Sequence, residues 1–160
     1  ADEQLARLEQ ALDGMIVQQE SINRETVRLD DLLRENGSLT RGQLASVRTL
    51  APQQRGLQAE AETFAQQIAA AEVFFLSLNS AVNEMATAAE RLDAGETGVA
   101  TQQVQQRALD RLRQLVEAMQ EDSDNAQDNP AGGSGSGGNQ GPPPDGIKNI
   151  AQLKLLKLMQ

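Results

Sequence analysis

Residues 1–36 read ADEQLARLEQALDGMIVQQESINRETVRLDDLLREN, and the spacing within them decides the fold. Core-type positions recur at alternating steps of three and four residues, which is typical of a helix that packs in a coiled coil. The pattern is carried by Leu5, Leu8, Leu12, Met15, Gln19, Ile22, Thr26, Leu29 and Leu33. Gly37 then supplies a residue that tolerates the left-handed conformation at a helix end. The first helix is therefore expected over 2–36.

A second pattern of the same kind follows TRGQ at 40–43, which has the form of a capping box between Thr40 and Gln43. The alternation continues without a slip to Leu92, so one long helix is expected over 41–94. Its core positions are Val47, Leu50, Gln54, Leu57, Ala61, Phe64, Ile68, Ala71, Phe75, Leu78, Val82, Met85, Ala89 and Leu92. Pro52 removes a backbone donor and predicts a kink or a short break near the start of this helix.

A third helix is expected over 97–121. DAGETG at 93–98 ends the second pattern, with Gly95 placed to close one helix and Thr97 placed to start the next. The core positions that follow are Val104, Ala108, Leu112, Leu115 and Met119. At about 1.5 Å per residue, the three helices span roughly 50, 80 and 35 Å. Because both turns are short, the first and third helices fold back along the second and cover it almost from end to end.

These lengths predict an all-α rod over 1–121, made of antiparallel coiled-coil hairpins built on one long central helix. The joint between the two hairpins falls on Phe74 and Phe75. These residues either plug the joint or are ordinary core residues, and the sequence leaves both interpretations open. A rod two helices thick exposes apolar flanks, so self-association to a four-helix cross-section is expected.

Three polar residues, Gln19, Thr26 and Gln54, occupy core positions of the heptad pattern. Buried polar residues in coiled coils often set register or partner choice at a cost in stability, so these are candidates for a specificity device. The alternative is that a helix pair leaves one side wet and tolerates them there. An internal repeat aligns QQESINRETVRLDDLL from Gln18 with QQRGLQAEAETFAQQI from Gln53, and we attribute it to composition.

The composition changes after residue 121. Residues 122–144 are rich in acids, Asn, Gly, Ser and Pro, which bury too little apolar area to order a chain, so a disordered linker is expected. Residues 145–160 predict an amphipathic helix with a wide apolar arc, which needs a surface. We expect a partner helix or a continuation of the chain first, the chain's own rod second and an anionic membrane third. The interaction candidates in this segment are Ile147, Ile150, Leu153, Lys154, Leu156 and Lys157.

Composition also argues against several classes of function. The chain has no His and no Cys, so the usual general base near neutral pH, thiol nucleophiles and thiolate metal ligands are missing. The net charge of −9 argues against a nucleic-acid partner. DSDNAQD from Asp122 resembles the start of a calcium loop, but Gln127 stands where that loop needs glycine and Gly133 where it needs glutamate. We therefore expect no enzyme activity, no cofactor, no metal and no small-molecule substrate.

Four segments resemble an uncharacterised group of bacterial envelope-associated coiled-coil proteins. They are LTRGQLASVRTLAPQQRGL (39–57), AAERLDAGETG (88–98), TQQVQQRALDRL (101–112) and AQLKLLKLMQ (151–160). Members of that group have an N-terminal signal sequence, so the resemblance implies a periplasmic or envelope-associated protein; the residues themselves leave the cytoplasm open. The opening ADEQ is compatible with a mature start after signal cleavage and equally with a fragment boundary.

The function expected from these features is a non-catalytic structural or protein-interaction module of the bacterial cell envelope, which self-associates or binds a helical partner. The alternative is a peripheral membrane-associated regulator that is anchored through residues 145–160. Binding to anionic vesicles distinguishes the two.

Overall fold

The computed structural model describes residues 2–127, and within them it has four α-helices and no strand. The helices are α1 (Asp2–Asn36), α2 (Arg41–Gln67), α3 (Glu72–Asp93) and α4 (Val99–Gln127). Each helix packs against two others, α1 against α2 and α4, and α3 against α2 and α4, so the four helices close a bundle. The all-α prediction is confirmed. The predictions for residues 128–160 lie outside the described residues.

The prediction of one continuous helix over 41–94 is wrong. α2 ends at Gln67, a turn covers residues 68–71, and α3 begins at Glu72. α2 and α3 then pack against each other, so the described chain is a four-helix bundle rather than a rod built along one long helix. The physical reason is burial: a rod two helices thick leaves apolar flanks in water, whereas the folded-back chain covers them with its own helices.

Of the kink or short break expected at Pro52, the short break is absent, because α2 runs without interruption from Arg41 to Gln67. Pro52 lies inside the helix, with its ring on the solvent-exposed side. The neighbouring core residues Leu50 and Gln54 are fully buried, so the packed face continues past the proline. Tertiary packing thus outweighs the loss of one backbone hydrogen bond.

The signals at the helix ends were more reliable than the helix lengths. Gly37 and Gly95 have φ angles of +70° and +77°, as expected for residues that follow a helix. The Thr40 backbone N–H donates to Gln43 Oε1 at 2.8 Å, and the Gln43 N–H donates to Thr40 Oγ1 at 3.2 Å, which confirms the capping box. α4 (Val99–Gln127) continues past the predicted end at 121, and the sequence offers no Gly or Pro between Val99 and Pro130 to stop it earlier.

The buried core follows the predicted heptad positions closely. All the second-pattern positions are buried apart from Phe75, which is half-buried, and the ends of the first pattern, Leu5, Leu8 and Leu33, are half-buried. The completely covered large side chains include Leu12, Met15, Leu29, Leu50, Leu57, Leu78, Met85, Leu92 and Leu112. The core is thus aliphatic along most of the bundle, with the buried Phe64 and Phe74 near the α2–α3 turn and a group of amide and hydroxyl side chains at its centre.

Candidate functional site

The most distinctive site is a set of polar side chains in the core, contributed by three helices. We call it the central polar layer: Gln19, Asn23 and Thr26 from α1, Gln54 from α2 and Gln105 from α4. Gln19, Thr26, Gln54 and Gln105 are 0% exposed, whereas Asn23 is half-buried. The three polar core residues predicted from the heptads are therefore brought together, and the prediction that one side of a helix pair stays wet does not describe their surroundings.

Gln19 and Gln54 form a reciprocal amide pair across the α1–α2 interface. Gln19 Nε2 donates to Gln54 Oε1 at 3.0 Å, and Gln54 Nε2 donates to Gln19 Oε1 at 2.8 Å. Gln19 Nε2 also donates to Asn23 Oδ1 at 2.7 Å, one turn along α1. The two glutamines are equivalent positions of the internal repeat. The pair thus holds these two helices at one axial register.

Gln105 connects the third helix to this pair. Its Nε2 donates to Thr26 Oγ1 at 3.1 Å and to Gln54 Oε1 at 3.4 Å, while Thr26 Oγ1 donates to the backbone carbonyl of Ile22 at 2.9 Å. Gln105 is a residue that the sequence analysis missed. Continuing the alternation of three and four backwards from Ala108 reaches Gln105 and then Thr101, whereas the choice of Val104 broke the alternation. The signal was therefore present in the heptad pattern.

Two atoms of the central polar layer have no protein hydrogen-bond partner within the described residues: Gln105 Oε1 and Asn23 Nδ2. An unpaired buried amide group costs about 1–3 kcal/mol. The layer holds only neutral amides and one hydroxyl, which supply neither a strong nucleophile nor a general base near neutral pH. Its groups are directed at one another, so the arrangement is suited to selecting which helices pair and at what register.

A second polar cluster ties the α3–α4 turn to α1. Asp30 is 6% exposed and accepts from Thr97 Oγ1 at 3.2 Å and from Gln102 Nε2 at 3.3 Å. Gln102 Nε2 also donates to the Thr97 carbonyl at 2.9 Å. Thr97 was expected to start the last helix, but α4 begins at Val99 and the Thr97 hydroxyl instead contacts α1. This cluster fixes the turn, and Asp30 and Thr97 also line a shallow cleft of about 390 Å³ beside it, together with Arg91 and Glu96, which pair with each other at 2.7 Å.

The other predicted site residues divide into two sets. Phe74 is buried at the start of α3 and Phe75 beside it is half-buried, so the pair lies next to the turn at 68–71. The hairpins α1–α2 and α3–α4 lie side by side in the described bundle instead of end to end, so the two residues do not plug an end-to-end joint and both pack on the common core. The six candidates in the tail, Ile147, Ile150, Leu153, Lys154, Leu156 and Lys157, lie outside the described residues.

A cleft lies at the end of the bundle that holds the α1–α2 and α3–α4 turns. It encloses about 550 Å³ and is open to solvent. It is lined by Leu33, Leu39, Leu44, Val47, Arg48, Leu92, Asp93, Ala94 and Gly95. Among the residues whose side chains the structure describes, no group of three or more Asp or Glu is arranged to hold a metal ion. Residues 2–127 include no helix with the length and apolar character needed to cross a bilayer.

The bundle's net charge is concentrated at the opposite end. We call this the acidic end: residues 2–13 of α1, residues 58–76 around the α2–α3 turn, and residues 115–127 of α4. These three segments carry 11 acids and a single base, Arg7, a net charge of −10. The remainder of 2–127 carries ten acids and ten arginines, a net charge of zero. A strong negative potential is therefore expected at this end alone.

Ion pairs cross three of the helix interfaces outside the acidic end. Arg55 of α2 pairs with Asp93 of α3, Arg107 of α4 with Glu84 of α3 at 3.2 Å, and Arg113 of α4 with Glu20 of α1 at 2.6 Å. On α1, the hydrogen bond from Arg28 holds the pKa of Glu25 below its ordinary value. These pairs are solvent-exposed, so each contributes modestly to stability.

Comparison of the chain with protein-family models, with curated proteins and with solved structures finds no match. The resemblance to bacterial envelope-associated coiled-coil proteins therefore stays a prediction.

Proposed function

We propose that this chain is a non-catalytic structural or protein-interaction module of the bacterial cell envelope, whose helices pair in antiparallel coiled-coil fashion. The observation that supports it best is the central polar layer. Its amide groups hydrogen-bond to one another across α1, α2 and α4 instead of facing a cavity. Buried polar groups used in this way favour a defined helix arrangement over chemistry on a ligand.

The acidic end is the surface that we propose for interaction. It combines a net charge of −10 with apolar side chains exposed on α3, since Val73 is 54% and Leu76 is 56% exposed. An anionic surface with apolar side chains suits a basic amphipathic helix. The chain's own residues 145–160, with Lys148, Lys154 and Lys157, have this chemistry, and α4 ends at the acidic end. We therefore take this segment as the first occupant to test.

The test uses a labelled peptide of residues 145–160 added to residues 1–144, whose helix content is checked first by circular dichroism. We expect binding that weakens as salt is added, because salt screens charges on the protein surface. The double variant Glu62→Gln with Glu117→Gln removes two exposed charges of the acidic end. The matched control is Glu35→Gln with Glu90→Gln, which removes two exposed charges from the part of 2–127 that has no net charge. The first pair should weaken binding about three- to tenfold and the control pair by less than twofold. No binding at low salt, or equal effects of the two pairs, would contradict the assignment.

The alternative function, a peripheral membrane-associated regulator anchored through residues 145–160, is less well supported. The anchor would bring the acidic end close to an anionic surface, and 11 acids against one arginine would oppose the attraction of three lysines. Co-sedimentation of the full chain with anionic and with neutral vesicles tests it. Selective binding to the anionic vesicles at physiological salt would favour the alternative.

A further inference from the structure

The turn between α2 and α3 is made of helix-forming residues. Residues 68–71 read Ile-Ala-Ala-Ala, and alanine has the highest helix propensity of all residues. The other two turns each contain a glycine at positive φ, Gly37 at +70° and Gly95 at +77°. The α2–α3 turn contains neither glycine nor proline, so its sequence gives the chain no local reason to stop being helical.

Caps are also missing at this turn. Ala71, the residue before α3, makes no side-chain capping bond, in contrast to the reciprocal pair of Thr40 and Gln43 before α2. The turn is held by backbone bonds such as Ala71 N–H to the Ile68 carbonyl at 2.9 Å and Ile68 N–H to the Phe64 carbonyl at 3.2 Å. Packing of α2 against α3, rather than local structure, therefore keeps it closed.

The apolar register continues through the turn. Buried residues before it are Ala61 and Phe64, those within it are Ile68 and Ala71, and Leu78 continues the same alternation after it. A helix running through residues 68–71 would thus present one unbroken apolar stripe over both α2 and α3. This is the continuous helix that the heptads predict over 41–94.

We propose that the chain has a second, exchanged state in which residues 68–71 become helical and two copies swap halves. In each half of this dimer, α1 and α2 of one chain would pack against α3 and α4 of the other. The partner is a second copy because only the same sequence rebuilds every contact of the closed bundle. The Gln19–Gln54 pair stays within one chain, while the bonds from Gln105 to Thr26 and Gln54 become intermolecular. Such exchange of identical elements is a low-cost route to a dimer.

The exchanged state differs from the closed one mainly at residues 68–71. Residues 68–71 of each chain gain helical hydrogen bonds, and the α2–α3 and α1–α4 interfaces form between the two chains instead of within one. The continuous helix would extend over roughly 80 Å. This inference does not depend on the proposed interaction of the acidic end with a basic helix, and either can fail while the other holds.

Charge opposes the exchange, which gives it a measurable salt dependence. The two acidic ends, each with a net charge of −10, would meet at the centre of the dimer. At about 0.1 M salt, charges separated by more than about 10 Å are largely screened, whereas at 0.01 M the screening distance is about 30 Å. The dimer fraction is therefore expected to rise with ionic strength.

The first experiment refolds the full chain from denaturant at high protein concentration, in low and in high salt, and measures mass by light scattering after size exclusion. The decisive variant is Glu72→Pro. Position 72 is the first residue of α3, where proline suits a helix start, and Ala71 at φ −90° and ψ 77° already lies outside the helical region. In a continuous helix the same proline removes a hydrogen bond and clashes with the preceding turn.

Glu72→Pro should therefore keep the monomer folded and lower the dimer association constant by about 10⁴-fold, since both copies carry the proline. Arg41→Pro is the matched control, because it places proline at the first position of α2, a helix start that both states retain. It should leave the dimer fraction unchanged. A dimer that survives Glu72→Pro, or a chain that stays monomeric at every concentration and salt, would overturn the proposal.

A crosslinking experiment identifies the contact itself. The chain has no cysteine, so Arg55→Cys in one preparation and Asp93→Cys in another each give a single thiol. These residues face each other across the α2–α3 interface, and both are about half exposed. After the two preparations are refolded together, a short bismaleimide should crosslink an Arg55→Cys chain to an Asp93→Cys chain. The control replaces Asp93→Cys with Glu35→Cys on α1. Equal yields from both mixtures would refute the exchange even if a dimer forms.

Discussion

Replacing Gln54 by leucine should destabilise the bundle, and replacing Gln19 by leucine as well should restore most of the stability. The two side chains are completely buried and exchange hydrogen bonds of 3.0 and 2.8 Å. Gln54→Leu leaves Gln19 Oε1 without its donor and removes the 3.4 Å bond that Gln105 makes to Gln54. Gln19 Nε2 keeps Asn23 as an acceptor, and Gln105 keeps Thr26.

The magnitude follows from these bonds. One orphaned buried acceptor costs about 1–3 kcal/mol, and the lost donor bonds of Gln19 and Gln105 add about 1 kcal/mol. Burying a leucine side chain in place of the amide returns about 1–2 kcal/mol. The single replacement is therefore expected to lower the free energy of unfolding by about 1–2 kcal/mol. Adding Gln19→Leu removes the orphaned acceptor and buries a second leucine, but it also takes the Gln19 donor away from Asn23 Oδ1, which is half-buried. This step should therefore raise the free energy of unfolding by about 1 kcal/mol.

The assay is urea unfolding followed by far-ultraviolet circular dichroism, applied to the four proteins of a double-mutant cycle. Gln53→Leu is the matched control, because Gln53 neighbours Gln54 but is exposed, and it should change the stability by less than about 0.5 kcal/mol. The sign of the stability change that Gln19→Leu causes in the Gln54→Leu protein shows whether the two amides act as a pair. If Gln19→Leu destabilises the Gln54→Leu protein as much as it destabilises the wild type, the two amides do not act as a pair.

Three smaller predictions follow from the backbone and the surface. Pro52→Ala should raise the free energy of unfolding by up to about 3 kcal/mol, because it restores a helix-interior hydrogen bond, and no rise in Tm would show that Pro52 is accommodated at no cost. Gly56→Ala should stabilise by about 0.5–1 kcal/mol, since an added Cβ meets no atom within 4 Å, whereas Gly37→Ala should destabilise by about 1 kcal/mol because Gly37 has a φ of +70°. The hydrogen bond from Arg28 lowers the pKa of Glu25 in the folded state, so its stabilisation is present above the unfolded pKa and is lost as the pH falls through the folded one. Glu25→Gln should therefore lower the urea midpoint slightly at neutral pH and leave it unchanged in acid; an equal shift at both pH values would contradict this.

The sequence predicted which faces of the helices are buried, because burial of an apolar stripe follows from spacing alone. The positions from Val47 to Leu92 were placed correctly through a turn that was not foreseen. The helix caps could also be predicted from the sequence, because Gly37 and Thr40 act through local backbone geometry. Of the central polar layer, the members on α1 and α2 were found from the heptads, and Gln105 could have been found by the same rule.

The turn at 68–71 could not have been found by these rules. Heptad spacing reports the face of a helix and carries no information on whether the helix continues or folds back, because both choices bury the same stripe. Pro52 predicted a kink or a short break in α2, but the helix continues through this solvent-facing proline, and the chain instead turns at an alanine-rich segment with the stronger helix propensity. The turn is a consequence of tertiary packing between α2 and α3, which lies beyond local sequence signals.

The central polar layer can specify the register of the helices, but it cannot specify how many chains contribute them. Sliding α1 by one heptad along α2 would break both Gln19–Gln54 hydrogen bonds and leave Gln19 Oε1 and Gln54 Nε2 without these partners, at about 1–3 kcal/mol for each buried group, so the layer selects the register. The layer is the same whether Gln105 belongs to the same chain or to a second copy, so it cannot select between a closed monomer and an exchanged dimer. That choice is left to residues 68–71 and to the charge of the acidic end. Glu72→Pro should therefore change the oligomeric state without changing the register, and Gln54→Leu should change stability without favouring either state.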